Sequence, residues 1–217
     1  MKFSFVIPTY KNYALIHQVL WDIYKNCSSP YEIIVVDDAG DTETINGLSW
    51  WKTSLFSQLI HYVQSENLGF LKNSNSGLLA ATGDVICLVS TDVRIHKDIT
   101  TASMYLADDP KQIIGTRLLS YDTGWNKFGN KVFPYLEGWL LCATSQAWKE
   151  LNYFDERFAP NDFEDVDFST KAVAAGYRLT ELTEYATHIG GQSLGYSPER
   201  ESLTIENKRK FKEKWNL

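Results

Sequence analysis

The chain has 217 residues and a formal charge of −6, with 21 Lys and Arg against 27 Asp and Glu. Its 44% apolar content is ordinary for a globular domain, which excludes a disordered or fibrous chain. The acidity argues against broad nucleic-acid binding, which needs a basic footprint.

One domain of this length can bury roughly 70% of the surface its unfolded form exposes. Aromatics are high at 14%, a surplus that serves either packing or platforms for flat ligands. Cys27, Cys87 and Cys142 are odd in number and contain no CxxC, which disfavours a disulfide framework or a cysteine zinc site. No run approaches 18 apolar residues, and Phe3 to Ile7 is too short for a signal-peptide core. The expectation is a soluble, cytoplasmic protein without a membrane span. Residues 204–217 carry five cations against two carboxylates, so a net of +3 sits in the tail and −9 elsewhere.

The first 90 residues alternate strand and helix signals. Lys2 to Pro8 is a strand, Tyr13 to Lys25 a helix, and Glu32 to Val36 a strand followed by Asp37-Asp38. Thr44 to Phe56 is a helix, Leu59 to Val63 a strand, Asn73 to Thr82 a helix and Val85 to Val89 a strand. Continuous apolar runs such as VICLV suit parallel strands covered on both faces. The βαβαβαβ order predicts a doubly wound, mostly parallel α/β sheet.

Further on, Ile99 to Ala107 reads as a helix, Ile113 to Leu119 as a strand, and Tyr121 to Tyr135 as a loop or hairpin. Trp139 to Ala143 is a strand, Ser145 to Leu151 a short helix and Asn152 to Phe163 a loop. Glu164 to Ala175 is a helix ended by Gly176, Arg178 to Leu182 and Tyr185 to Thr187 are strands, and Leu203 to Trp215 is a charged helix. The division is one domain, with 1–92 a ligand-binding half, 93–195 a second half and 196–217 the charged terminal helix.

In an open α/β sheet, ligands bind beyond the carboxyl ends of the strands. Here those ends carry Pro8-Thr9-Tyr10, Asp37-Asp38 and Ser90-Thr91-Asp92. No GxGxxG follows the first strand and no GxxxxGK[ST] occurs, which disfavours a dinucleotide fold and a P-loop. Asp92 directly after a strand suits either a helix cap or a hard cation such as Mg²⁺ or Mn²⁺. Asp37-Asp38 reads either as an Asx turn or as acceptors for nucleoside donors. The segment 152–168 holds six carboxylates, among them Asp155, Asp162 and Asp167, with Arg157 its one cation. First-turn acids and an i,i+4 pair between Asp167 and Lys171 account for about half of these. A general base can be among the rest. His188 precedes Gly190-Gly191, and its case rests on its company.

The sequence resembles the family 2 glycosyltransferases with a GT-A fold. The matching stretches are SFVIPTYKN (4–12), EIIVVDDAG (32–40), ENLGFLKNSNSGLLAATGD (66–84), VICLVSTDV (85–93), the run from Glu137 to Phe168, AAGYRL (174–179) and THIGGQS (187–193). The resemblance implies that Pro8, Thr9 and Tyr10 line a nucleotide pocket. It implies that Asp38, with Asp37 beside it, accepts hydrogen bonds from base or ribose. Asn67, Gly69 and Lys72 match the loop over the nucleotide and diphosphate, with Lys72 facing phosphate. Ser90, Thr91 and Asp92 occupy the DxD position, where Ser90 replaces the first Asp. Asp92 and His188 would hold Mn²⁺ or Mg²⁺. Asp165 of the Glu164-Asp165 pair would be the base, and Trp139 would sit under the sugar or acceptor.

The implied activity is an inverting, metal-assisted hexosyl- or N-acetylhexosaminyl-type transfer. The donor would be a nucleotide-diphosphate sugar, with UDP- or dTDP-sugars as first guess. The acceptor would be a saccharide or another hydroxyl-bearing molecule. Two alternatives stand beside this: an inactive nucleotide-sugar-binding module, which Ser90 allows, and a sugar nucleotidyltransferase, which lacks support because PTYKN holds no glycine. The aromatics Tyr121, Trp125, Phe128, Phe133 and Tyr135 suit an acceptor loop or a packed hairpin equally. The basic tail reads as a solvated helix, with a partner or a weak membrane-surface contact as alternatives, and Ile205, Phe211 and Trp215 available to dock it. With little room for an acceptor domain, a partner or homo-oligomer is expected to supply the remainder.

Overall fold

The computed structural model describes residues 1–28, 30–38, 40–123, 131–190 and 197–217. Its elements, in chain order, begin β1 (Phe3–Thr9), α1 (Tyr13–Asn26), β2 (Tyr31–Asp37), α2 (Thr42–Ser54), β3 (Leu59–Val63), α3 (Phe70–Ala80), β4 (Val85–Val89) and β5 (Val93–Ile95). They continue with α4 (Ala102–Asp108), β6 (Gln112–Gly115), β7 (Leu118–Asp122), β8 (Val132–Leu136), β9 (Leu140–Thr144) and α5 (Ser145–Glu150). The last are α6 (Glu164–Ala174), β10 (Arg178–Glu181), β11 (Ala186–His188) and α7 (Pro198–Lys214).

A seven-stranded sheet runs β10-β6-β9-β4-β1-β2-β3. β3, β2, β1 and β4 are mutually parallel, as is the β6–β10 pair, while β9 runs antiparallel to both β4 and β6. The expected mostly parallel α/β sheet is therefore present. The chain adds β2 and β3 on one side of β1, then crosses to place β4 on the other. That reversal opens a crevice at the carboxyl ends of β1, β2 and β4.

Alternation along the strands divides the core between two faces. Phe3, Phe5 and Ile7 of β1, Ile33 and Val35 of β2, and Cys87 and Val89 of β4 pack under α1 and α2 with Ile16, Leu20, Ile23 and Trp51. Val6, Ile86 and Leu88 face the other way, onto Leu71, Leu78, Trp148, Phe168 and Phe211. Trp148 stacks on Phe168 at 4.5 Å and donates its indole N–H to the Ile86 carbonyl at 3.1 Å. Much of the aromatic surplus is thus packing.

The structure redraws four sequence expectations. The strand expected over Ile113 to Leu119 is two. β6 leaves the large sheet at Gly115, where a Cβ would sit 3.1 Å from the Leu140 carbonyl oxygen, and β7 pairs with β8 in a separate hairpin. The helix expected from Asn73 begins at Phe70, with Gly69 as its N-cap. The helix expected from Leu203 begins at Pro198. Ser197 accepts the Arg200 amide at 3.2 Å, and Glu199 and Glu201 favour the first turn. β5 was not expected: three residues are too few to register as a pattern. It pairs antiparallel with β11, setting His188 opposite Val93.

Candidate active site

A cavity of about 650 Å³ opens at the switch point. Of the expected residues, Pro8, Thr9, Tyr10, Asp38, Asn67, Gly69, Ser90, Thr91, Asp92, Trp139, Glu164, Asp165 and His188 all line it. Two do not. Lys72 is exposed in the first turn of α3, which starts three residues earlier than expected. Asp37 is fully buried beneath the floor, 3.2 Å from Nε2 of His61.

Asn73 holds the floor together. Its amide donates to the Val36 carbonyl at 2.6 Å and the Thr9 carbonyl at 3.4 Å, joining the ends of β2 and β1 to α3. Its Oδ1 is buried without a partner. Asp38 accepts the amides of Leu68 at 2.6 Å and Gly69 at 2.8 Å. Burial pushes this carboxyl above its usual range, with Asp37 adding to the shift and the two amides opposing it. Asp38 therefore anchors the 67–69 loop as well as facing the cavity.

Gly69 has φ +83°, and a Cβ there would lie 2.4 Å from Cβ of Pro160. Gly69→Ala is expected to cost about 1–3 kcal/mol of stability through the left-handed penalty and this clash. It should weaken binding of a ligand in the cavity by about tenfold, roughly 1.4 kcal/mol, by displacing the loop. Thermal melting and calorimetry measure the two effects.

On the opposite wall, β5 and β11 bring Asp92 and His188 together from 96 positions apart, with Oδ1 and Nε2 separated by 3.1 Å. The Ile189 amide donates to the Asp92 carbonyl at 2.9 Å, fixing this register. Trp139 stacks face to face on His188, centroids 5.1 Å apart and tilted 16°. Its indole N–H donates to Glu137 at 2.8 Å. One face of Trp139 is thus committed to the histidine.

A hard carboxylate oxygen and an imidazole are a donor set that fits Mn²⁺ or Mg²⁺. Among the described residues no cluster of three or more His, Cys, Asp or Glu forms a fuller cage. The set fits a cation that takes its remaining ligands from a phosphate-bearing substrate and water.

The Glu164-Asp165 pair starts α6. Asp165 Oδ2 accepts the Gly138 amide at 3.0 Å, and Oδ1 accepts the Val166 amide at 2.7 Å. Burial nonetheless raises its carboxyl to about 6, the amides opposing the shift and Glu137 and Asp162 adding to it. Glu164 is buried with Oε2 unpartnered. Burial first, and the neighbouring Asp165 second, hold its carboxyl well above the usual range. Both carboxyls of the pair are therefore harder to ionise than free ones, and Asp165 ionises near pH 6.

Two other carboxylates of the acidic segment hold the terminal helix. Asp155 and Asp167 share Lys214 at 2.7 and 2.8 Å, and Asp167 also accepts the Trp215 indole N–H at 3.0 Å. The expected Lys171 partner of Asp167 is more distant at 3.9 Å. Sequence reasoning missed Asn73, Arg117, Glu137, Arg200 and Thr204 as lining residues. For Asn73 a signal existed, since Asn73, Ser74 and Asn75 are polar on the helix face that must be buried. Trp125, Phe128 and Gly191 lie outside the described residues.

The crevice, its acidic pair and the Asp92–His188 pair lie on a mostly parallel sheet of GT-A type. Residues 4–171 match the Glycosyl transferase family 2 profile, and the chain belongs to that family. Similar proteins include the uncharacterized glycosyltransferase YwdF of Bacillus subtilis, 31% identical over 118 residues that make up 50% of this chain and 42% of YwdF. Another is the poly(ribitol-phosphate) beta-N-acetylglucosaminyltransferase TarS of Staphylococcus aureus, 27% identical over 100 residues, 45% of this chain and 17% of TarS. The match thus covers less than half the length of either relative.

Among solved structures, S. aureus TarS 1-349 in complex with UDP-GlcNAc has a TM-score of 0.66 at 21% identity, over 91% of this chain and 62% of that one. The mannosyltransferase PcManGT of Pyrobaculum calidifontis, in complex with GDP-Man and Mn²⁺, has a TM-score of 0.66 at 20% identity, over 83% and 54%. At these identities the likeness establishes the fold. No helix among the described residues is long and apolar enough to cross a membrane.

Proposed function

We propose that this chain transfers a sugar from a nucleotide-diphosphate sugar to an acceptor hydroxyl, with inversion, and that Asp165 is the general base. The observation carrying this reading is that Asp165 and the Asp92–His188 pair line one cavity at the sheet's switch point. Pro8, Thr9, Tyr10, Asp38, Asn67 and Gly69 border its nucleotide end, and Ser90, Thr91 and Asp92 its diphosphate end. UDP- and dTDP-sugars are the first candidates, in line with the UDP-GlcNAc bound by the structurally similar TarS.

Each Asp165 oxygen accepts one amide and keeps a lone pair for the acceptor's proton. The hydroxyl oxygen then attacks the anomeric carbon as the nucleoside diphosphate departs, and this single displacement inverts the configuration. Asp92 and His188 would hold Mn²⁺ or Mg²⁺, which when bound neutralises charge growing on the leaving diphosphate. Ser90 adds no charge there, so the donor's own oxygens carry more of that coordination. Trp139, pinned by Glu137, keeps the His188 ring in place. Glu164 lies buried beside Asp165 with Oε2 unpartnered, and the charge of Asp165 makes it harder to ionise. The acceptor would enter past Tyr121, Tyr135 and Phe163, whose rings suit a saccharide.

The test is a donor screen with UDP-, GDP-, dTDP- and CMP-sugars, with and without Mn²⁺, following product release and thermal shift. Free nucleoside diphosphate and an inverted anomer by proton NMR are expected. Release of pyrophosphate, or neither release nor thermal shift with any donor, overturns the reading.

A further inference from the structure

The basic tail forms α7, and the face it docks with is polar in its N-terminal half and aromatic beyond. Arg200, Thr204, Asn207 and Phe211 recur at i, i+4, i+7 and i+11, so they form one stripe along the helix. Phe211 is fully buried, whereas Ile205 on the far side is 63% exposed. The other three residues of the stripe converge on one turn. Arg200 donates to Asp162 through Nη2 at 2.9 Å and Nε at 3.3 Å, a forked pair. Thr204 donates to Asp162 Oδ2 at 2.7 Å. The Asn207 amide, completely buried, reaches the carbonyls of Phe158 and Asn161 at 2.8 Å and of Asp162 at 3.0 Å.

That turn is costly to form unaided. Asp162 has φ +70° and Phe163 φ +75°, the left-handed region that non-glycine residues rarely adopt. Phe163 is the N-cap of α6, and Asp165 lies two residues further on. Asp162 also lines the cavity, and its charge makes both Glu164 and Asp165 harder to ionise. Facing Asp165 are Glu164 on α6, Glu137 and Tyr135 at the end of β8, and Asp162 on the turn. Arg200 is the cation set against Asp162.

We propose that Arg200 is a positioning residue of the transfer reaction: it pins Asp162, fixes the turn that launches α6, and offsets a carboxylate charge beside the base. Its kinetic consequence rests on Asp165 being that base; its electrostatic consequence does not.

The primary test follows Asp165 by ¹³C NMR titration of the metal-free, ligand-free protein, with no turnover involved. Arg200→Gln is expected to raise the Asp165 midpoint by about half a pH unit, because Asp162 is left uncompensated. Adding Asp162→Asn should bring the midpoint back. In the transfer assay Arg200→Gln should lower kcat about tenfold and move its acidic limb upward, with donor KM within about twofold of wild type. An Asp165 midpoint that Arg200→Gln leaves in place overturns the proposal, even if stability falls. Should Arg200→Gln not fold, Asp162→Asn in the wild-type background carries the test. A midpoint lowered by about half a unit supports the proposal, and an unchanged one overturns it. If no donor is turned over, the reading of the activity fails while the titration still decides the role of Arg200.

Discussion

Asp165→Asn is expected to lower sugar transfer roughly a thousandfold while leaving donor affinity within about twofold, since the amide cannot accept the hydroxyl proton yet fills the same space. The same substitution should stabilise the protein. The carboxyl lies at about 6 in the fold against an ordinary value of 3.8. The folded state therefore holds a proton that the unfolded chain has already released between those pH values. Stability falls as pH rises through that window, and at neutral pH the ionised group costs about 3 kcal/mol. Asn removes this penalty but keeps only one of the two amide contacts, so a net gain of about 1–2 kcal/mol is expected. Calorimetry with the donor, thermal melting and a transfer assay separate the three effects. In wild type, kcat should rise through pH ~6 to a plateau. Wild-type turnover by the Asn variant would remove Asp165 from the chemistry.

Chelation is the second large effect. EDTA should reduce turnover about a hundredfold or more, and Mn²⁺ should restore it. Because Asp92 and His188 are the two candidate ligands among the described residues, Mn²⁺ alone should bind weakly, and a nucleoside diphosphate should tighten it by adding phosphate oxygens. Electron paramagnetic resonance titration of Mn²⁺ with and without UDP measures this directly. Asp92→Ala should abolish the UDP-dependent tightening. Full activity in EDTA would strip Asp92 and His188 of the metal role.

The first 90 residues were legible because their signals are local. VICLV, EIIVV and FSFVI are continuous apolar runs, and the polar residues that follow them fall where the strands end. Asp92 and His188 could be paired only by resemblance, since the bridge that joins them spans three residues in each strand and leaves no periodic trace. Lys72 went astray for a local reason. Gly69 starts α3 three residues earlier than the apolar pattern, and that shift converts a loop lysine into an exposed helical one. The far wall was hardest to read. Of the residues expected to dock α7, Phe211 and Trp215 do pack on the core while Ile205 faces solvent; Arg200, Thr204 and Asn207 dock through hydrogen bonds, which apolar spacing does not register. Ser197-Pro198-Glu199 did announce where that helix begins, as a capping residue followed by proline and an acid.

The three-residue bridge between β5 and β11 also sets a schedule for synthesis. Strands β1, β2 and β4 are complete once residue 89 has been made, yet Asp92 gains its imidazole only when residue 188 emerges, and Asp162 gains its guanidinium later still. A nascent chain on the ribosome therefore carries the pocket floor long before it has the opposing wall. The wall that carries His188 and Arg200 is thus made from residues synthesised after the floor is complete.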